Sequence, residues 1–285
     1  MDVLNLIHQK LPSLSKGQKR IAQYIIDEFD KAAFLTAGAL GKAVQVSEST
    51  VVRFASELGF DGYPELQKAL QEMVLSRLTG VQRLEAAQSR IKKETLLVQT
   101  LHDDAQRIRE TENALDQSAF NGAVDAMLRA RRIYVLGVRS SSALAGFLEY
   151  YLRYIFEDVR LITSASSAVV LEELLRLSPS DVLIAVSFPR YSAAVSQAME
   201  YAKHNGAKTV ALTDSTSSPL AANADYLLTA KCDMLSLVNS LVAPMSVINA
   251  LIVSAASRRK QETTASFDQL EDVWDAYHVY EKYDS

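Results

Sequence analysis

Cysteine and histidine are scarce in this sequence of 285 residues, and each scarcity excludes a class of site. The single cysteine, Cys232, cannot form an internal disulfide, and we interpret it as a small core residue in a reducing compartment. The four histidines are scattered along the chain: His8, His102, His204 and His278. Because there is no cysteine cluster and no histidine pair, we predict no metal site, no redox sensor and no cofactor.

Long apolar runs are also missing. No stretch of about 18 uninterrupted apolar residues is present, so the sequence predicts no transmembrane helix and no membrane contact. The N-terminus lacks the charged and then apolar pattern of a signal peptide, and we expect a cytoplasmic protein. The net charge of −4 argues against a chain coated with nucleic acid, although it leaves room for a local basic face. The length is enough for about two domains.

Helical periodicity extends through residues 1–77. Ser15 is predicted to cap an early helix, whose basic residues form either a solvated face or a phosphate contact: Lys16, Lys19 and Arg20. Segment 46–59 is typical of the second helix of a helix-turn-helix pair, with Ser47 as N-cap and Gly59 beyond its end. Its apolar face recurs at i, i+3 and i+7: Val51, Phe54 and Leu58. An ordinary helical hairpin in an all-α core is the competing interpretation.

The polar residues around this helix are types that contact phosphates and base edges. We predict the DNA contacts to be Lys42, Gln45, Ser47, Ser49, Thr50 and Arg53.

A longer pattern makes the helix-turn-helix interpretation specific. Its parts are Val46-Ser47, Ser49-Thr50-Val51, Arg53-Phe54, Leu58-Gly59-Phe60 and Gly62-Tyr63-Pro64-Glu65-Leu66. This pattern resembles the N-terminal domain of RpiR-type bacterial transcription regulators, and the resemblance covers about 77 residues. It implies binding to double-stranded operator DNA. The family usually has alanine where this chain has Gly41, and we expect a slightly weaker helix without loss of function.

Residues 78–121 are polar and predict a helical linker, as one long helix or two. From residue 132, short apolar runs alternate with helical segments, which predicts a parallel sheet flanked by helices. The predicted strands are 133–138, 159–163, 181–187, 208–213 and 226–229. The predicted helices include 169–177, 192–204 and 237–257. We assign this α/β domain to residues 122–265 and a C-terminal acidic and aromatic helix to 266–285.

Two strand ends of the predicted sheet are rich in hydroxyls. Parallel sheets bind ligands at the carboxyl ends of their strands, and serines beside a helix N-terminus suit an anion. The turns are 137–142 and 187–192, where Arg139 or Arg190 offers a clamp for phosphate or carboxylate. The competing interpretation makes the serines helix caps and the arginines surface residues. We predict the ligand contacts to be Ser140, Ser141, Ser187, Arg190 and Ser192.

Residues 122–260 resemble the SIS (sugar isomerase) domain, found in phosphosugar isomerases and in RpiR-type regulators. Gly137 to Ser141 takes the register of the family motif Gly-x-Gly-x-Ser, with Arg139 in place of the second glycine. Ser187 and Ser192 match the ends of the second motif, Ser-x-Ser-Gly-x-Thr or Ser, with Pro189 and Arg190 in place of its centre. The resemblance implies a phosphosugar ligand, and the departures leave room for another anion. The polar turn after Thr213-Asp214 also resembles the family, but only weakly.

These resemblances predict an all-α helix-turn-helix domain followed by an α/β SIS domain with a five-stranded parallel sheet. The predicted function is a transcription regulator that responds to a phosphosugar or sugar-acid effector and assembles as a homodimer or homotetramer. The alternative is a phosphosugar isomerase with a helical appendage, which needs a general base near the site. Its candidates are Glu172, Glu173 and His204.

Overall fold

The computed structural model describes residues 3–77, 95–232 and 239–280. The chain divides into two compact units, one built from residues 3–77 and the other from 95–232 and 240–280. Each unit has its own hydrophobic core, and no buried residue of one core belongs to the other. None of the helices in the described ranges has the length and apolar character that a membrane crossing requires.

The first unit is helical throughout its described part, and its caps follow the sequence. Its elements are α1 Val3–Lys10, a 3-10 turn Leu11–Ser13, α2 Lys16–Asp27, α3 Phe29–Ala32, α4 Ala37–Ala43, α5 Glu48–Glu57 and α6 Tyr63–Arg77. Ser15 forms a complete capping box with Gln18 at the start of α2, as its position predicted. The helix that Ser15 caps ends at Asp27, and Phe29 begins the short helix α3.

The second unit is an α/β domain. Its elements are α7 Leu96–Ala114, α8 Gln117–Arg129, β1 Arg132–Gly137, α9 Ser141–Leu152, β2 Val159–Ile162, α10 Ser167–Glu173, β3 Asp181–Val186, α11 Ala193–His204, β4 Lys208–Thr213, a 3-10 turn Ala221–Asn223, β5 Tyr226–Thr229, α12 Val242–Arg258 and α13 Lys260–Ala276. The strands form one parallel sheet in the order β2-β1-β3-β4-β5. The predicted five-stranded parallel sheet is therefore confirmed.

Alternate residues of each strand enter cores on opposite faces of the sheet, as the pleat requires. On one face, Val135 and Ile184 pack with α8, α9 and α12. On the other face, Leu136 and Leu183 pack with α10 and α11. Burial on both faces explains why these strands read as continuous apolar runs in the sequence.

The helices around the sheet differ from the predictions mainly at their ends. The predicted boundary between residues 121 and 122 falls inside α8, and α7 packs against α12 within the second unit. The part of the linker at 78–94 lies outside the described residues. Helix α12 begins at Val242, later than predicted, and residues 237–238 also lie outside the described ranges. Helix α13 begins at Lys260, six residues before the predicted C-terminal helix, and Phe267 packs on Tyr154 with ring centroids 5.2 Å apart.

Candidate DNA-binding and ligand-binding sites

Helices α4 and α5 form a tight helix pair. Ser47 caps α5, and its hydroxyl accepts a hydrogen bond from the Thr50 amide at 3.3 Å. Gly59 has φ +93, in the left-handed region, and lies just beyond the end of α5. Gly41 is buried, and a Cβ there would lie 2.8 Å from the Val46 carbonyl oxygen. Glycine therefore fits the close approach of this turn, and alanine at this position would require the turn to shift.

The predicted DNA contacts lie on α4, on α5 and in the turn between these helices. Thr50 is half-buried, and the exposed members are Lys42, Gln45, Ser47, Ser49 and Arg53. The Ser47 hydroxyl lies 2.9 Å from the Ser49 hydroxyl and 2.8 Å from that of Thr50. These hydrogen bonds fix the three side chains at the start of α5. The Arg53 Nε donates to the Ser49 carbonyl at 3.3 Å. The rest of its guanidinium extends from an exposed position on α5.

The start of α2 lies beside this helix pair, a relation that the sequence did not reveal. Arg20 donates from Nη2 to the Gln45 carbonyl at 2.8 Å, where Gln45 adopts φ +56 in the turn. A Cβ on Gly17 would lie 3.5 Å from Val46 and 3.6 Å from Thr50. The exposed basic residues at the start of α2 therefore flank α5. The sequence showed the basic residues of α2, but it did not show that Arg20 contacts Gln45, which lies 25 residues further along the chain.

The two serine-rich turns of the second unit meet at the topological switch point of the sheet. In the order β2-β1-β3-β4-β5, the direction of strand addition reverses between β1 and β3, and such crevices bind ligands. Gly137 at the end of β1 pairs in register with Val186 at the end of β3. A Cβ on Gly137 would lie 2.6 Å from the Ser141 carbonyl oxygen, so α9 packs directly onto the end of β1.

The four serines of the predicted site do not cap helices through their side chains. Ser140 and Ser192 occupy the N-cap positions of α9 and α11, but neither side chain makes a capping hydrogen bond. Ser141 and Ser187 are buried residues. Within the described ranges, none of these four hydroxyls donates to or accepts from another protein group. The capping interpretation is therefore wrong for these serines, and their hydroxyls remain available to a ligand.

Both arginines of these turns are exposed. Arg139 adopts φ +56, in the left-handed region that favours glycine, at a cost of about 1 kcal/mol. Thus the backbone at this position keeps the shape of a glycine turn although the residue is arginine. The sequence identified the substitution but not the strained conformation that accompanies it.

A polar network missed by the sequence interpretation lies next to the turn after β3. The Tyr191 hydroxyl donates to Asp214 Oδ1 at 2.6 Å, and the Thr213 hydroxyl lies 2.8 Å from that of Ser218. Burial and the adjacent Asp214 carboxylate raise the pKa of Tyr191 above its ordinary value, which keeps the phenol protonated. The network ties the turn after β3 to the turn after β4. Only the weak resemblance of the second turn had marked it in the sequence.

The residues considered as general bases lie at the C-terminal ends of α10 and α11. Glu172 and Glu173 are exposed at the far end of α10, which leads back towards the start of β3. His204 is the last residue of α11 and lies four residues before β4, so it is at the amino edge of the sheet. The switch point is at the opposite, carboxyl edge. The expected proximity of His204 to the site is therefore wrong.

Comparison with known proteins finds a matching family model for each of the two domains. A model described as "Helix-turn-helix domain, rpiR family" matches residues 1–76, and one for the SIS domain matches 126–254. An uncharacterized HTH-type transcriptional regulator of Haemophilus influenzae is 31% identical over 245 residues, covering 80% of this chain and 79% of that protein.

Two solved structures are similar. The sugar isomerase domain of an RpiR transcription factor from Sphaerobacter thermophilus aligns with a TM-score of 0.60 and 31% identity, covering 62% of this chain and 99% of that domain. The Vibrio vulnificus NanR protein complexed with ManNAc-6P aligns with a TM-score of 0.57 and 22% identity, covering 96% and 98% of the two chains. This second likeness shows a shared fold.

A helix-turn-helix unit joined to an SIS domain defines a class of transcription regulators. This chain belongs to the RpiR family of HTH-type transcriptional regulators, as its N-terminal match and its relatives show.

Proposed function

We propose that this regulator binds operator DNA through α4 and α5 and that an anionic sugar derivative modulates the binding. The effector binds between the turns after β1 and β3. The observation that carries this site is the set of unpaired hydroxyls at the switch point: Ser140, Ser141, Ser187 and Ser192. Arg190 adds a cation at the same edge. The phosphosugar in the NanR complex supports the ligand class.

The effector changes operator affinity only if it binds the two conformations of the regulator unequally. A helix-turn-helix protein reads half-sites about 34 Å apart, so the active form is a symmetric homodimer or homotetramer in the cytoplasm. We propose a sensor rather than an isomerase, because the chain carries an rpiR-type helix-turn-helix domain and resembles HTH-type transcriptional regulators. Incubation of the purified protein with sugar phosphates is expected to give no isomerised product.

Arg53→Ala is expected to weaken operator binding by about 10-fold to 100-fold, because the exposed guanidinium on α5 reads the major groove. A mobility-shift titration at fixed salt concentration measures the effect. Lys31→Ala is the matched control, since it also removes one cation but lies on α3 and pairs with Glu28. Full operator affinity in the Arg53 variant would exclude this groove contact.

Loss of two serines is expected to remove the response to the effector. A ligand at 100 times its dissociation constant stabilises the protein by about 2.7 kcal/mol, and the double variant Ser141→Ala, Ser192→Ala should lose this shift. Thermal unfolding with a panel of sugar phosphates measures it. The control replaces two exposed serines on other helices, Ser118 and Ser257, with alanine. An undiminished shift in the first variant would place the effector elsewhere.

A further inference from the structure

We infer that the effector carries two separate anionic groups and is a phosphorylated sugar acid rather than a phosphorylated neutral sugar. The inference rests on the proposed function, since it names the ligand class of the same site. It assigns Arg139 and Arg190 to the second anionic group, a carboxylate. The argument depends on how charge is distributed along the two edges of the sheet.

The serine hydroxyls and the helix N-termini at the switch point suffice for one phosphate. Amide groups that open a helix attract an anion without any cationic side chain, and hydroxyls add neutral donors. Helices α9 and α11 both begin at this edge with Ser140 and Ser192 at their N-cap positions. The two arginines therefore supply positive charge beyond what a phosphate cradle of this kind needs.

Arginines at the opposite edge of the sheet are neutralised, whereas those at the switch point are not. At the amino edge, Arg131 pairs with Asp181 at 2.8 Å, and Arg132 pairs with Asp158. Neither Arg139 nor Arg190 has an ion pair or a side-chain hydrogen bond with any residue that the structure describes. Guanidinium groups are suited to a carboxylate, which they bind in a bidentate manner.

The acidic residue next to the site is already engaged. Asp214 follows β4, and its Oδ1 accepts the hydrogen bond from the Tyr191 hydroxyl at 2.6 Å. The Thr213 hydroxyl lies 3.1 Å from the same oxygen. Although Tyr191 is adjacent to Arg190 in the chain, the Asp214 carboxylate forms no ion pair with this arginine. The positive charge of the turn after β3 therefore stays available for a ligand.

The conformation of Arg139 is further support. Its φ of +56 lies where glycine is unstrained, so glycine would give the same turn at a lower energy. Strained non-glycine residues cluster at active sites and ligand clamps, where the strain is tolerated for function. We infer that the Arg139 side chain, which has no hydrogen bond or ion pair with the described residues, gains its compensation from a bound anion.

The test compares ligands that differ only in the second anionic group. Gluconate 6-phosphate is matched with glucitol 6-phosphate, and glycerate 3-phosphate with glycerol 3-phosphate. Four- and five-carbon aldonate and alditol phosphates complete the series. Calorimetric titration of the full-length protein should show, for at least one chain length, an acid that binds about tenfold or more tightly than its alcohol.

Variants connect that preference to the two arginines. Arg190→Gln and Arg139→Gly should each reduce the preference to about twofold or less, because each variant weakens binding of the acid more than binding of the alcohol phosphate. Arg139→Gly should also raise the midpoint of thermal unfolding in the absence of ligand, because it relieves the left-handed strain. Arg139→Gln removes the charge but keeps the strain, so it should lose the preference without gaining stability.

Three results would overturn the inference. Equal binding of acids and alcohols by the unmodified protein would leave the proposed phosphosugar site standing and exclude a second anionic group. A preference for acids that survives both arginine variants would also reject the assignment. If no phosphorylated compound of either series binds, the proposed function fails and the inference fails with it.

Discussion

Phe54→Ala is expected to destabilise the N-terminal helical unit by about 3–5 kcal/mol and to abolish operator binding. Phe54 lies on α5 and is fully buried, in a core formed only by residues of the first unit. It packs in one cluster with Leu40 of α4 and Leu66 of α6, so its removal leaves a cavity where three helices meet. A small helical unit has little stability to spare, and a loss of this size unfolds much of it.

Two spectroscopic signals distinguish unfolding of the first unit from unfolding of the whole protein. The only tryptophan, Trp274, lies on α13, so its fluorescence follows the second unit. We expect the circular dichroism of the Phe54 variant to lose helix at lower temperature, whereas the Trp274 transition stays in place. Val52→Ala is the control, because this neighbour on α5 is 40% exposed and its loss should change stability by about 0.5 kcal/mol or less. Retention of operator affinity at normal temperature would contradict the role given to Phe54.

Local patterns predicted the elements of both units because each pattern has a local cause. Continuous apolar runs placed β4 and β5 at their observed bounds, since both strands fit the short-run rule for buried parallel strands. Ser15 and Ser47 cap helices through hydroxyl contacts with amides three residues away. Such contacts depend on a few neighbouring residues and can therefore be recognised in sequence.

Contacts between distant segments were not predictable in this way. The Arg20 contact with Gln45 joins residues 25 positions apart, and the Tyr191 contact with Asp214 joins residues 23 positions apart. Neither has a periodic signature, because each depends on how two elements pack. The expected position of His204 failed for a related reason, since proximity in sequence to a strand does not show which edge of the sheet a residue occupies. The direction of α11 was needed to show at which edge of the sheet His204 lies.

Asp181→Ala is expected to destabilise the SIS domain by about 2–3 kcal/mol. The Asp181 carboxylate is 1% exposed and accepts four hydrogen bonds, from Nε and Nη2 of Arg131 and from the amide and hydroxyl of Ser178. These contacts join the start of β3 to the start of β1. The loss is smaller than for a fully buried ion pair because Arg131 is half exposed and regains water when its partner is removed.

The same contacts predict how stability depends on pH. Burial alone would raise the pKa of Asp181, but the hydrogen bonds from Arg131 and Ser178 outweigh it and hold the pKa below its ordinary value. The folded carboxylate therefore resists protonation at a pH where the unfolded chain, with a pKa of about 3.9, already binds a proton. Its contribution to stability is complete above that pH and is lost as the pH falls through the folded pKa. Asp158 and Asp225 also have lowered pKa values and act in the same direction.

Denaturant unfolding followed by Trp274 fluorescence between pH 7 and pH 3 measures this dependence. Asp181→Asn keeps the shape of the side chain but cannot titrate, so its stability should fall less steeply below about pH 4 than that of the unmodified protein. The remaining slope is attributed to Asp158 and Asp225. Asp268→Asn, at an exposed position on α13, is the control and should leave the slope unchanged. Identical slopes for the Asp181 variant and the unmodified protein would show that this carboxylate does not carry the acid sensitivity of the sheet.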